Sequence, residues 1–403
     1  MTTRVRSRGR RLARWVIFSV LLLGLGWTVW NWRAAVAVKS VAAELEARGL
    51  SISLDRLNDA IPHFGAAPSV EENAAPVLRA AIALMNSVPE PDEDFSEAGV
   101  STALRLALPQ YEEALALAYR AAERPRCRFR LMWIDGFEVR LDHILGLRDL
   151  ARILRARAVV RSEAGDWEGA VEDTRVLFAV SRALEEEPIV VSQLVRMALI
   201  AMGFETLRTV LPTCPRPLEA LDAVKATDAR GAFAFALEGE SILTLDVAVS
   251  QGVGAVAGTV GSPLMASLPL RPYLRGEMAY ILRSYLKFID AAREPLPEAL
   301  RRCAQLTVEV TQGAGVVSSM VLPQMGDAFR KEVELSARLA FLRLGARCLD
   351  HRARNGVLPE RLEDLGEYSE KPFAGAPYVF KKDGDVLVLW RQEDEMVRWE
   401  LGA

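Results

Sequence analysis

Histidine and cysteine are scarce in this sequence: 403 residues hold three His and four Cys. That scarcity removes most metal and nucleophile patterns at once. His63, His143 and His351 lie far apart without metal-ligand spacing. Two of them stand in the phrase Leu-Asp-His (141 to 143 and 349 to 351). Adjacent residues on a helix do not face each other, so neither phrase is a catalytic dyad. Cys127, Cys214, Cys303 and Cys348 show no C-x-x-C spacing, which argues against zinc and a thioredoxin-like site. Disulfides in an oxidising compartment and buried free thiols both remain open for them. No G-x-S-x-G, H-E-x-x-H or Walker sequence occurs.

Other fragments of motif lack their context. Gly252-Val253-Gly254 with Gly258 spells a dinucleotide-like string, but no strand and helix alternation surrounds it and no acid follows at the needed distance. The acidic stretch PEPDEDFSE (89 to 97) has carboxylates without the fixed spacing or turn glycine of a calcium loop, and reads as a solvated linker. Glu238 and Glu240, like Glu332 and Glu334, sit two residues apart, so on a helix each pair points to different faces and reads as solvated charge. The sequence therefore assigns no catalytic residue, no cofactor-binding residue, no metal ligand and no cofactor.

Acid is missing from the first 33 residues, which carry seven Arg and no Asp or Glu. The remainder holds 43 bases against 53 acids, a net of −10 hidden inside the total of −3. Such an acidic body does not attract nucleic acid. Charge is also missing from Trp15 to Trp30, sixteen residues reading WVIFSVLLLGLGWTVW. A spanning helix needs about 20 mainly apolar residues, and apolar character resumes at Ala34 to Val38. Trp30 and Trp32 read as an interfacial belt, so residues 15 to 38 are expected to form an uncleaved transmembrane anchor. A signal peptide cleaved at Ala35-Val36-Ala37 and a buried soluble helix are the alternatives. The Arg-rich tail, 1 to 14, places the N-terminus in the cytoplasm and the body in the periplasm of a bacterial inner membrane.

Mean hydropathy of +0.12 is too low for a polytopic membrane protein, and a 51% hydrophobic fraction excludes a disordered chain. Past residue 34 the periodicity is overwhelmingly helical. Ser69-Val70-Glu71-Glu72 spells a capping box, and Asn73 with Pro76 in the following first turn marks the same start of a helix running to about Met85. Further helices are expected over Val100 to Glu123 and Phe137 to Glu163, the latter carrying Ile144, Leu147, Ala151, Leu154 and Ala158 on one face. Gly165-Asp166 ends it and Trp167 opens a partner, predicting a helix hairpin that is partly like a tetratricopeptide unit, without an array at the period of about 34 residues. Pro188 starts a helix to Leu211, and Pro212 to Pro217 break it. Phe329 to Arg354 shows two apolar rows, Val333/Ala337/Phe341/Leu344/Cys348 and Leu335/Leu339/Leu342/Ala346/Leu349, the mark of a central core helix. After Asn355-Gly356 the tail alternates with period two around Asp383-Gly384, predicting a small antiparallel hairpin or meander. The expected organisation is a mainly α body in three parts, 39–211, 212–328 and 329–403. The second part contains the uncharged, glycine-rich run 247–270, which is echoed at Val310 to Gly315. A shared cavity or surface, a membrane contact of 247–270 and close helix packing are all compatible with these runs.

The succession Asn73-Ala74-Ala75-Pro76, Glu163-Ala164-Gly165-Asp166-Trp167 with Ala170 and Asp173, Glu187-Pro188, Ser192-Gln193-Leu194 and Asn355-Gly356-Val357-Leu358-Pro359 resembles uncharacterised membrane-anchored helical proteins numerous in planctomycetes. The resemblance implies an all-helical extracytoplasmic body and carries no activity. Gly356-Val357-Leu358-Pro359, Leu362, Leu365, Pro372-Phe373, Gly375 and Tyr378 are similar to the C-terminal region of type II secretion pseudopilins, where a helix leads through a G-x-x-P turn into a small sheet. The N-terminus here carries Arg where a prepilin peptidase site would stand. The expected role is a membrane-anchored extracytoplasmic binding or scaffolding module with a protein partner. An extracytoplasmic hydrolase-like enzyme built on dispersed carboxylates and one His, or a component of an envelope or secretion assembly, are the alternatives.

Overall fold

The computed structural model describes residues 3–50, 54–61, 63–89, 91, 95–96, 99–246, 249, 268–365, 378–383, 386–391 and 394–401. The glycine-rich string at 252–258 and most of the run 247–270 lie outside them.

The fold is mainly helical. Helix α1, Thr3–Ala47, is 45 residues long. Its stretch from Arg14 on is long and apolar enough to cross a membrane, and no part of its most apolar window is buried. Trp15, Leu21, Leu23, Trp30 and Trp32 are all exposed, but Ala34, Val38, Val41 and Leu45 are buried. These four recur at steps of four, three and four, so one stripe of the same unbroken helix enters the core.

Helix α2, Ala75–Met85, starts where Asn73 and Pro76 mark it, and not at the Ser-x-x-Glu pair. Asn73 Oδ1 accepts from Ala75 N at 3.1 Å and Pro76 occupies the first turn. Ser69 and Glu72 do bond each other reciprocally, but within the preceding turn. The helix expected over 100 to 123 is divided. Pro109 cannot continue an α-helical ladder, so α3, Thr102–Ala107, passes through a 3₁₀ turn, Leu108–Tyr111, into α4, Glu112–Ala122. Likewise α5 starts at Asp142, not Phe137, and runs to Glu163; a 3₁₀ segment with Gly136 at φ 58° precedes it.

The Asp166 side chain accepts from Gly169 N and caps α6, Trp167–Arg182, which packs along α5. Helix α7, Val190–Val210, is also long and apolar enough to cross a membrane, but just over half of its apolar window is buried. It is surrounded by protein on several sides, packing on α5, on α6 and on the later helices α9, Ala232–Asp246, and α13, Pro323–Asn355. Between these come α8, Pro217–Ala223; α10, Arg271–Ala292; α11, Leu296–Gly313; and the short α12, Ser318–Val321. Every residue of the two apolar rows of α13 is buried, and Gly356 closes the helix at φ 78°.

Strands are few. Ala60–Ile61 (β1) pairs antiparallel with Gly65–Ala66 (β2), and Phe95–Ser96 (β3) with Gly99–Val100 (β4). At the C-terminal end, Tyr378–Asp383 (β5), Val386–Arg391 (β6) and Asp394–Leu401 (β7) form one antiparallel sheet in chain order, with Tyr378 opposite Arg391 and Leu389 opposite Trp399.

Three apolar clusters fill the interior. One joins α2 to α7, a second joins the end of α1 with α9, α10, α11 and the start of α13, and a third joins α6, α7, α8 and the rest of α13. Along α1 and α10, Trp27 Nε1 donates to Pro269 O, Arg275 to Asn31, Arg283 to Ser40 and Arg48 to Asp290. Both numberings rise together, so the two helices run parallel.

Candidate functional site

Pro188 stops α6 from running into α7, and the connection reads Glu185-Glu186-Glu187-Pro188. Gln193, in the first turn of α7, donates to the carbonyls of Leu184 and Glu187 at 2.8 Å each, satisfying a loop that is otherwise buried. The three glutamates leave in three directions. Glu185 accepts from Arg196 at 2.8 Å. Glu186 accepts from Arg126 and Arg128, each through two nitrogens. Glu187 lies 2.6 Å from His143 Nε2 and accepts from Ser192 Oγ at 2.6 Å. The carboxylate here separates hydroxyl from imidazole, whereas a hydrolytic triad needs the imidazole on the hydroxyl, so Ser192 is not activated. His143 is buried, stacked on Phe129 with ring centres 4.1 Å apart.

Helix α9 lies directly on this loop. A Cβ at Gly239 would overlap the Pro188 carbonyl oxygen, so the approach requires glycine. On one side of Gly239, Glu240 accepts from Val190 N at 3.1 Å and caps α7. Burial pushes its carboxyl up to about 7, and the Val190 N–H pulls the other way. On the other side, Glu238 points into an open cleft.

That cleft has a volume of about 410 Å³ and is bounded by the β1–β2 turn, the glutamate loop, α7, α9 and the end of α10. His63 stands at the tip of the turn at φ 70°, a left-handed conformation that His tolerates better than most residues. Its Nε2 is 2.6 Å from Glu238 Oε2, its side chain is 57% exposed, and that of Glu238 is 3% exposed. The second Glu238 oxygen accepts from Arg293. Arg196 and Arg230 line the same space, and Phe64 and Phe235, 5.2 Å apart, form an apolar edge. Arg196 is buried, which lowers its pKa, and its Nε has no acceptor among the described residues. Three guanidinium groups facing Glu185 and Glu238 leave a net positive lining beside the aromatic edge. Planar donors of this kind suit a carboxylate or phosphate. A larger groove of about 480 Å³ also touches His143, but there the imidazole is occupied inside the protein.

The glutamates expected to be solvated divide differently. Glu238 and Glu332 are buried, because each finds donors that compensate for lost water. Glu332 accepts from Gly231 N at 2.9 Å and Phe233 N at 2.7 Å, capping α9, and burial raises its pKa. Glu277 does the same for α12 through Val317 N and Ser318 N, both at 3.0 Å. Three helix starts are thus capped by carboxylates from neighbouring helices. Glu334 is half-buried and lies outside the cleft, and His351 bonds the carbonyl of Val357 at its own helix end.

All four cysteines are buried and free, and burial pushes the thiols of Cys303 and Cys348 up to about 12 and Cys214 to about 11. Groups held this far from the thiolate are not nucleophiles. Among the described residues no cluster of His, Cys, Asp and Glu has the geometry of a metal site.

Sequence reasoning did not identify Glu185, Glu186, Arg126, Arg128, Arg196, Arg230 or Arg293. The available signal was a run of three glutamates directly before a proline, between Ala183-Leu184 and Ile189-Val190-Val191. Comparisons with protein-family profiles, curated proteins and solved structures find no match to this chain.

Proposed function

We propose that the chain is a single-pass, membrane-anchored binding module whose helical body stands on the extracytoplasmic side and takes an anionic group of its partner into the His63–Arg230 cleft. The observation that carries this reading is the change of character within α1. From Trp15 to Leu25 it exposes Trp, Leu and Val around the whole circumference, whereas from Ala34 on it buries a stripe in the body. An apolar helix with no protein around it fits lipid, and the arginines before it favour a cytoplasmic N-terminus. The paired helices α5 and α6 support the helix-hairpin, tetratricopeptide-like element of this reading, and the β5–β7 pairing supports the C-terminal meander.

Two measurements test it. A reporter fused after Ala403 is expected to be active only outside the cytoplasm, and cytoplasmic activity would overturn the topology. Affinity capture from native membranes is run in parallel with the wild type and with Arg230→Glu. A partner recovered with the wild type and lost with the variant is the expected outcome; identical recovery removes the cleft from the reading.

One observation favours an extracytoplasmic hydrolase-like enzyme as a second reading. His63 presents an open imidazole held by a buried carboxylate, an arrangement suited to general base catalysis.

A further inference from the structure

We infer that the body itself rests on the bilayer, through the corner between α11 and α12, and this rests on the membrane reading of α1. The parallel pairing of α1 and α10 sets the level of every residue along them. Trp27 meets Pro269 and Asn31 meets Arg275, so the first turn of α10 lies beside Trp30 and Trp32, the expected belt. Tyr273 lies in that turn. Side chains on a helix lean toward its N-terminus, here toward the exposed half of α1. The Tyr273 hydroxyl accepts from Val316 N at 2.8 Å, and a Cβ on Gly315 would collide with that hydroxyl and with Glu277. The corner is therefore drawn down to the level of the tryptophans.

What it presents there is apolar. Residues 310–326 carry no charge, and Val316 and Met320 are 57% and 59% exposed. Charges resume on both sides, at Glu309, which is paired with Lys287, and at Asp327, which is paired with Arg330. Glu277, the acid nearest the corner, is turned inward as a buried cap for α12, so no carboxylate of that cap faces outward. An uncharged, exposed tip continuous with a Trp-rich apolar helix fits the acyl and headgroup boundary of a lipid bilayer. A protein partner has no such continuity to recommend it.

The test uses the full chain in phosphatidylcholine vesicles with an environment-sensitive fluorophore on one introduced cysteine, the native thiols being buried. Met320→Cys reports the corner, Leu22→Cys the span, and Val70→Cys, exposed on a distant turn, the aqueous reference. Lipids spin-labelled near the top of the acyl chain are expected to quench the probes at 320 and 22 at least about twofold more than the probe at 70. Quenching at 22 with position 320 equal to position 70 overturns the docked corner and leaves the anchor standing. Quenching at neither 22 nor 320 overturns the anchor, and the inference with it.

Discussion

Asp173 shows what a single buried charge does in this body. It is fully buried, and it takes two hydrogen bonds from Arg157 Nε, one from Arg157 Nη2 at 2.5 Å, one from Arg161 at 3.0 Å and one from the Tyr119 hydroxyl. Burial pushes its carboxyl up while these donors pull it down, and burial also pushes the Tyr119 hydroxyl up to about 12. Removing the carboxylate leaves Arg157 as a buried charge with the exposed Glu112 as its remaining carboxylate among the described residues, beside the Tyr119 ring. Asp173→Ala is expected to destabilise the protein by about 3–5 kcal/mol, read as a lower denaturation midpoint in urea. Glu112→Ala, which removes only the solvent-facing partner, is expected to cost less than about 1 kcal/mol in the same measurement. Residues of this kind are hard to read in sequence because their partners are distant along the chain. Asp173 meets Tyr119 across 54 positions and His63 meets Glu238 across 175, and no local period records either pairing. Glu238 and Glu332 look like solvated charges for the same reason: their donors are contributed by other elements.

At the scale of elements, sequence and structure agree wherever one rule acts alone. The rows of α13, the start of α6 at Trp167 and the Gly356 stop follow from periodicity and local turn chemistry, and all are present. Two rules in competition misplaced boundaries. Apolar spacing carried the expected helix straight through Pro109, where the missing N–H imposes a 3₁₀ turn, and the capping-box spelling at Ser69 closes the turn before Asn73 instead of the helix. Capping between elements also makes stability depend on pH. Glu240 caps α7 with a carboxyl near 7, against 4.5 for the ordinary group. The folded protein therefore holds a proton that the unfolded chain releases, and stability falls as pH rises from about 4.5 to about 7 and is level above that. Glu240→Gln keeps an acceptor for Val190 and loses the titration. It is expected to be near wild type in stability at pH 4 and more stable at pH 8, by no more than about 3 kcal/mol, in paired thermal melts.

For the whole molecule, the decisive join is the stripe Ala34, Val38, Val41 and Leu45. The same helix that leaves the apolar segment is part of the second core cluster, so the body is not hung on a linker. Val41→Asp places an unpaired charge in that seam, which is expected to open it. Limited proteolysis should then cut between Lys39 and Arg48 in the variant and leave the wild type intact there; equal resistance would mean that the seam does not hold the body. The sequence announces this join only faintly, since residues 34 to 38 read as the end of an anchor, with a cleavage site as an alternative, and no period there marks a buried stripe. What the local pattern does not record is the packing of these residues against α10.

A mast with no joint has a fixed height. From Trp32 to Ala47 the helix climbs fifteen residues, about 22 Å at 1.5 Å per residue. Arg48 is bonded to Asp290, one turn short of Arg293 at the cleft. With α1 in a bilayer as proposed, the cleft stands well clear of the headgroups, at a clearance that neither tilting loops nor a flexible tether can shorten. Its ligand must therefore approach through water, or be carried by something tall enough to reach that storey.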